Sequence, residues 1–182
     1  MSETWTQLNI FAIGGLIQVG FAPQSDCLLV VSHQGRGVFD CVSGQKIARD
    51  ANETWWQYFD EATLLAEGIG QFEHQKIRTA GLFGGSLSAT TEDGWTLFEN
   101  LENSTQVFLK HKSWADGEAK FVGDGEVCEM RAFGFSSTGN SFIIATSCDI
   151  TIYARAMPNK SMDVRQKQRL FYDGSSEPAA CA

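Results

Sequence analysis

Cysteines and histidines are the residues whose chemistry would be most diagnostic here, and their spacing argues against a metal centre. Cys27, Cys41, Cys128, Cys148 and Cys181 include no Cys-x-x-Cys pair, and His33, His74 and His111 stand 41 and 37 residues apart. Zinc sites draw on closely spaced pairs, because a local pair pre-forms half of the tetrahedron. No metal is therefore expected. An odd number of cysteines without a signal peptide argues against a disulfide framework. Cys27, Cys128 and Cys148 read instead as small core hydrophobes. A catalytic cysteine with a remote histidine partner is the one nucleophile that spacing does not exclude.

Other catalytic patterns are missing. No Gly-x-Ser-x-Gly elbow occurs, and Gly84-Gly85-Ser86 reads as a strand bend. A phosphate-binding loop and a dinucleotide fingerprint are both absent. Gly35-Arg36-Gly37 falls where a hairpin turn is expected. Gly123-Asp-Gly-Glu126 is a fragment of a calcium loop without the further oxygen ligands or the closing Glu. Asp60, Glu61 and Glu67 could be paired for glycoside chemistry, but among 22 acidic residues such a pair carries no weight. The expectation is no cofactor and no enzyme.

The chain that must position these residues is 182 long, with 43% hydrophobic and 20% charged residues, enough for a core without staples. The 14 basic and 22 acidic residues leave a net charge of −8, which disfavours nucleic-acid binding. The excess of glycine (18) and phenylalanine (13) over proline (3) leans toward β structure. The apolar stretch 10–19 is interrupted by Gly14, Gly15 and Gln18, unlike a secretory signal. No run of about 18 apolar residues exists to span a membrane. A soluble, cytoplasmic protein is expected.

The chain also repeats itself. Residues 20–40 align without a gap on residues 134–154, an offset of 114. Gly20-Phe21 meets Gly134-Phe135, the apolar run 28–31 meets 142–145, and Val38-Phe39 meets Ile152-Tyr153. A third copy lies between them: residues 91–99 match 32–40 position by position, and 77–81 is similar to 130–134. Each unit reads as three strands. The first is short and ends in Gly-Phe. A turn follows, at 23–26 or 137–140, rich in turn-forming residues. The second strand is a continuous apolar run, the pattern of a strand covered on both faces. A second turn leads to the third strand, which in the last copy alternates: Ile150, Ile152 and Ala154 against Thr151 and Tyr153.

This pattern, apolar-x-Phe-Ser-x-x-Gly-x-x, four apolar residues, Thr or Ser, then an apolar-aromatic pair, resembles a blade of a WD-repeat-type β-propeller. Residues 130–155 carry it best and 17–49 next. No Gly-His or Trp-Asp pair marks a unit, and units recur every 55–60 residues or so, against about 40–45 in such blades. The resemblance implies an all-β fold of antiparallel sheets built from three propeller-blade-like units, a partial propeller. A β-sandwich is the alternative. The expected organisation is a single β domain over 1–172, with units near 17–49, 77–99 and 130–155, and a disordered tail at 173–182.

Between the units, 52–67 reads as a short helix or turn through Phe59 followed by a strand at 63–66. Its aromatics either anchor the segment to the core or form a binding surface. Residues 106–110 read as a strand, with exposed loops at 114–118 and 123–126. Residues 158–170 read as a short helix or an arm. Residues 61–129 hold 12 acidic and 5 basic residues, whereas 130–182 holds 4 and 6. Nearly all of the negative charge therefore lies in the middle third. It serves either solubility or the steering of a basic partner.

These features point to a non-enzymatic protein-binding module. One form is a bacterial immunity protein that neutralises a basic toxin domain. The candidate contact residues are Trp95, Trp114, Asp116, Glu118, Asp124 and Glu126. A propeller-like adaptor and a hydrolase with an unrecognised site are the alternatives. Neither nucleic acid nor membrane is an expected partner.

Overall fold

The computed structural model describes residues 5–100 and 105–156. Within them the chain is all-β, with fifteen strands and two single 3-10 turns. The strands are β1 (Trp5–Ala12), β2 (Leu16–Phe21), β3 (Cys27–Ser32), β4 (Gly35–Asp40), β5 (Gln45–Asp50), β6 (Phe59–Asp60), β7 (Leu65–Glu67), β8 (Lys76–Arg78), β9 (Ala80–Gly81), β10 (Trp95–Glu99), β11 (Gln106–His111), β12 (Lys120–Asp124), β13 (Met130–Phe135), β14 (Ser141–Thr146) and β15 (Asp149–Arg155). They form four antiparallel sheets. In the order of the chain these are β5-β4-β3-β2-β9, β6-β7-β8, β10-β11-β12 and β1-β15-β14-β13.

Period-2 alternation decides how the sheets stack. In β3, Leu28 and Val30 join a cluster with Ile143, Ala145, Ile150 and Ile152 of the fourth sheet. Leu29 and Val31 point the other way, to Ala66 and Ile77 of the second. In β14, Phe142 and Ile144 meet Trp95, Leu97, Val107 and Leu109 of the third sheet. The layers therefore run second, first, fourth, third. The two apolar runs that the repeat singled out, 28–31 and 142–145, are the middle strands of the two inner layers and are buried on both sides. Among the described residues no hydrophobic cluster joins the second sheet to the third, so the stack is open at both ends.

Four sheets replace the three units read from the repeat. The outer two units, 17–49 and 130–155, are the first and fourth sheets. The middle one is not a sheet. Ile77 sits in β8 of the second sheet, Gly81 pairs with Gln18 of β2, and Ser88 bridges Phe135 of β13. Residues 79–91 thus cross the innermost strands of the first and fourth sheets before β10 begins. The repeated glycine has its explanation here. A methyl group on Gly20 would strike the carbonyl of Arg78, and one on Gly134 would strike Leu87. Both positions stay bare so that the crossing segment can approach the strand.

Trp5–Ala12, which the pattern left unassigned, is the outer strand of the fourth sheet, paired from Trp5 with Arg155 to Ala12 with Asp149. Trp55–Tyr58 forms a 3-10 turn, with strands at Phe59–Asp60 and Leu65–Glu67. The arm at 158–170 and the tail at 173–182 lie outside the described residues.

The cysteine reading needs correction. Cys128 and Cys148 are joined in a disulfide, with Cα atoms 6.1 Å apart. It ties the loop after β12 to the β14–β15 hairpin. A count over the whole chain could not see this, because Cys27 and Cys41 stay free and Cys181 lies outside the described residues. The Cys41 thiol is pushed well up by burial, which keeps it protonated and removes it as a nucleophile.

The turns that align in the repeat are also where the first and fourth sheets are clasped. Asp26, in the β2–β3 turn, accepts hydrogen bonds from Ser136 (2.6 Å), Ser141 (2.7 Å) and Thr138 (2.8 Å). Hydrogen bonds to a charged group are worth about 1.5–3 kcal/mol each, and a buried hydroxyl left without its partner adds a penalty. Asp26→Ala should therefore cost about 2 kcal/mol after relaxation of the exposed Thr138, with Asp26→Asn milder. A urea midpoint that does not move in the alanine variant would show that the clasp carries no stability.

Candidate functional site

The third sheet positions the predicted contact residues. Alternation along its strands sorts them. Trp95 and Leu97 of β10, Val107 and Leu109 of β11, and Val122 of β12 face the fourth sheet. Thr96, Phe98, Phe108, Lys110 and Phe121 occupy the opposite phase. Register places Phe98 opposite Phe108 and Phe108 opposite Phe121. Their rings form a continuous row, with centroids 5.8 Å apart at each step. Phe98 and Phe108 are half-buried, and Phe121 is 48% exposed. The Lys110 ammonium lies 5.2 Å from the centre of the Phe98 ring, a cation–π contact.

Beside this row a hollow of about 410 Å³ opens at the 112–119 loop, lined by Phe98, Lys110, Trp114, Asp116 and Glu118 among others. The loop is shaped by Glu118, whose carboxylate accepts from the Ala115 amide at 3.3 Å. Asp124 and Glu126 lie at the other end of β12, where the Gly125 amide donates to the Thr105 carbonyl at 2.7 Å. The disulfide fixes the continuation of that loop. All four carboxylates are exposed. The structure thus brings Trp114, Asp116 and Glu118 together and sets Asp124 and Glu126 apart, one strand length away.

Trp95 does not belong to the surface. It is 5% exposed and packs edge-on against Trp5 and Trp114, beside the His111 ring. A tryptophan next to Asp-Gly looks like a turn residue. Its phase with Leu97 turns it inward, and a residue that cannot be reached cannot be a contact. The same alternation, read outward, places Phe98 and Phe108 on the opposite face, out of phase with Leu97, Val107 and Leu109.

Elsewhere the chemistry is thin. The His111 ring nitrogens face the Ser113 hydroxyl at 2.7 Å and the Asp93 carbonyl at 3.2 Å. His74 is exposed, 3.9 Å from Glu67. A second hollow, about 450 Å³, lies between the 88–93 and 136–139 segments and is lined mostly by hydroxyls. Among the described residues that line it the one cation is Arg155, which forms a two-pronged ion pair with Asp93 at 2.7 and 2.9 Å. The Arg155 guanidinium holds the Asp93 carboxyl down to about 2. Among the described residues no three His, Cys, Asp or Glu side chains are grouped to hold a metal, and no helix is long and apolar enough to cross a membrane.

Fold and site together define a class: an all-β chain of four stacked antiparallel sheets, one end of which carries an aromatic row beside a hollow lined by both lysines and carboxylates. Compared with known proteins, the chain matches no family model, and no curated protein is significantly similar to it.

Proposed function

We propose that this chain is a non-enzymatic protein-binding module whose contact surface is the open end of the third sheet. The observation that carries the reading is the placement of Asp116, Glu118, Asp124 and Glu126, all exposed, at the two ends of the edge strand β12. Carboxylates spread along a strand edge act as a steering rim. They raise the encounter rate with a basic surface and set its orientation more than they hold the complex together. An immunity protein that blocks a basic toxin domain is the form of this function that the acidic rim fits best. A toxin gene beside this one would distinguish it from a general adaptor.

Reversing the four carboxylates to lysine should slow association with the purified partner by about tenfold or more at low salt and flatten its salt dependence. Stopped-flow traces identical to those of the parent at every ionic strength would remove the surface assignment. The compartment is testable with the same protein. A cytoplasmic setting is the expectation from the sequence, whereas a structural disulfide favours an oxidising one. Alkylation of the cysteines in intact cells, followed by mass mapping of Cys128 and Cys148, separates the two.

A further inference from the structure

Three of the six asparagines in the chain stand two residues before a hydroxyl side chain: Asn52-Glu53-Thr54, Asn103-Ser104-Thr105 and Asn159-Lys160-Ser161. That spacing, with any residue but proline between, is the acceptor pattern for asparagine-linked glycosylation, and it requires an exposed loop. Asn103 and Asn159 lie outside the described residues. Asn52 lies in the connection from β5 of the first sheet to the 3-10 turn Trp55–Tyr58, and residues 51–53 are all exposed. The connection is held in one shape. One Asp50 oxygen pairs with Arg36 at 2.7 Å, and the other accepts from the Asn52 amide at 3.0 Å. The Asn52 carboxamide oxygen accepts in turn from the Thr54 amide at 3.0 Å and from the Thr54 hydroxyl at 2.6 Å. These bonds occupy the oxygen and leave the nitrogen: among the described residues nothing accepts a hydrogen bond from Asn52 Nδ2. A substituent on Nδ2 therefore meets solvent and breaks no hydrogen bond. Asn9 is the contrast. Its Nδ2 donates to the Gly44 carbonyl at 3.3 Å, and Phe11 rather than a hydroxyl residue follows two positions on.

We propose that Asn52 is a site of N-linked glycosylation, taking its glycan from a lipid-linked glycosyl diphosphate. In the transfer, Nδ2 forms the bond to the anomeric carbon of the sugar. The bond from that carbon to the diphosphate oxygen breaks, and the lipid diphosphate leaves with the electron pair. Nδ2 gives up one of its two protons to a base of the transferase. The Cys128–Cys148 disulfide is the independent support. Disulfides form and persist in oxidising compartments outside the cytosol, and asparagine acceptors belong to proteins that pass through them. The place in the fold is suitable too. Among the described residues β5 is the outermost strand of the first sheet, and the exposed Trp56 follows Asn52 by four residues. A bulky hydrated chain at the end of that strand shields its edge from pairing with another chain. The connection runs from the first sheet to the second, at the end of the stack away from the third sheet, so the glycan leaves the proposed contact surface free. The inference therefore does not depend on the protein-binding reading.

The direct test is mass mapping of the full chain purified from its native cell. Trypsin cuts after Arg49 and Lys76, so residues 50–76 form one peptide that holds Asn52 and neither of the other two acceptor asparagines. The expected result is a peptide heavier by a glycan, which peptide-N-glycosidase removes, leaving aspartate at position 52. Thr54→Ala should abolish the modification and Thr54→Ser should retain it, with an unchanged urea midpoint in both showing that the fold is kept. An unmodified 50–76 peptide in the native protein would overturn the proposal, as would a glycan found only on Asn103 or Asn159. If that peptide is bare while Cys128 and Cys148 are found oxidised, the oxidising compartment stands and the acceptor site falls. A glycan that persists in Thr54→Ala, or is missing from Thr54→Ser, would show that the transferase does not read this hydroxyl, and the site would fall with it.

Discussion

Phe142→Ala is expected to lower the free energy of unfolding by about 3–5 kcal/mol, the usual range for a phenylalanine truncated in a closed core. Phe142 is fully buried in the middle of β14. Its ring stacks on Tyr153 at 4.5 Å and meets Trp5 at 4.9 Å and Phe135 at 5.5 Å. These partners come from both ends of the chain, β1 and β15, and from the neighbouring β13. The cavity would therefore open where the N-terminal strand is held onto the last sheet. Rigid aromatic neighbours relax poorly into a void, which places the loss at the upper part of the range. Phe142→Leu keeps more of the volume and should cost less, about 1–1.5 kcal/mol. Urea unfolding followed by tryptophan fluorescence measures both, with an unchanged m-value as the sign that compactness is preserved. A loss below about 1 kcal/mol for the alanine variant would mean that the ring is not enclosed.

Breaking the Cys128–Cys148 disulfide is expected to cost about 3 kcal/mol. The cross-link spans 20 residues of sequence, and closing a loop of that length in the unfolded chain accounts for roughly that amount in the chain-entropy description. The link joins the loop after β12 to the β14–β15 hairpin, where the Ser147 amide also donates to the Glu129 carbonyl at 2.7 Å. Loss of the cross-link leaves that contact to hold the loop that carries Asp124 and Glu126. The parent protein should lose its midpoint advantage in a thiol reductant, and the Cys128→Ser, Cys148→Ser double variant should not respond. Alkylation of the folded parent without reductant gives an independent check. Labelling of Cys128 or Cys148 under those conditions would show that they are not paired.

The repeat is the part of the fold that was most legible. A gapless match between 20–40 and 134–154 located two sheets, their turns and their buried middle strands, because strands buried on both faces must be continuously apolar. The same logic misjudged 77–99. Its two halves resemble pieces of a unit, but the side chains alone do not tell whether a short extended segment pairs with its neighbour in sequence or lies along another sheet's inner strand. β9 contains only two residues, and the segment that holds it fits because Gly20 leaves room for Arg78 before it and Gly134 for Leu87 after it. β1 was missed for a related reason. Residues 5–12 carry no charge and no clean alternation, and their partner lies almost the full length of the chain away.

For the site, the exposed carboxylates were readable because loops with Asp-Gly and no apolar period reach solvent. Of the two tryptophans, Trp114 lines the surface hollow and Trp95 is buried. Trp95 looked exposed beside a turn, and the three phenylalanines drew no notice because each is an ordinary strand residue by itself. Phase is local, and cross-strand register is not. Phe98, Phe108 and Phe121 become one surface only when three strands separated by loops pair in a fixed register.

By itself, the amino-acid sequence determined the all-β class, the two repeated sheets and the acidic bias of the middle third, since these depend on composition, period and turn chemistry carried within short stretches. Tertiary structure alone decided the number and stacking of the sheets, the cysteine pairing and the aromatic row. Each of these is a contact between residues far apart in the chain, and its energy exists only once the backbone has brought them together.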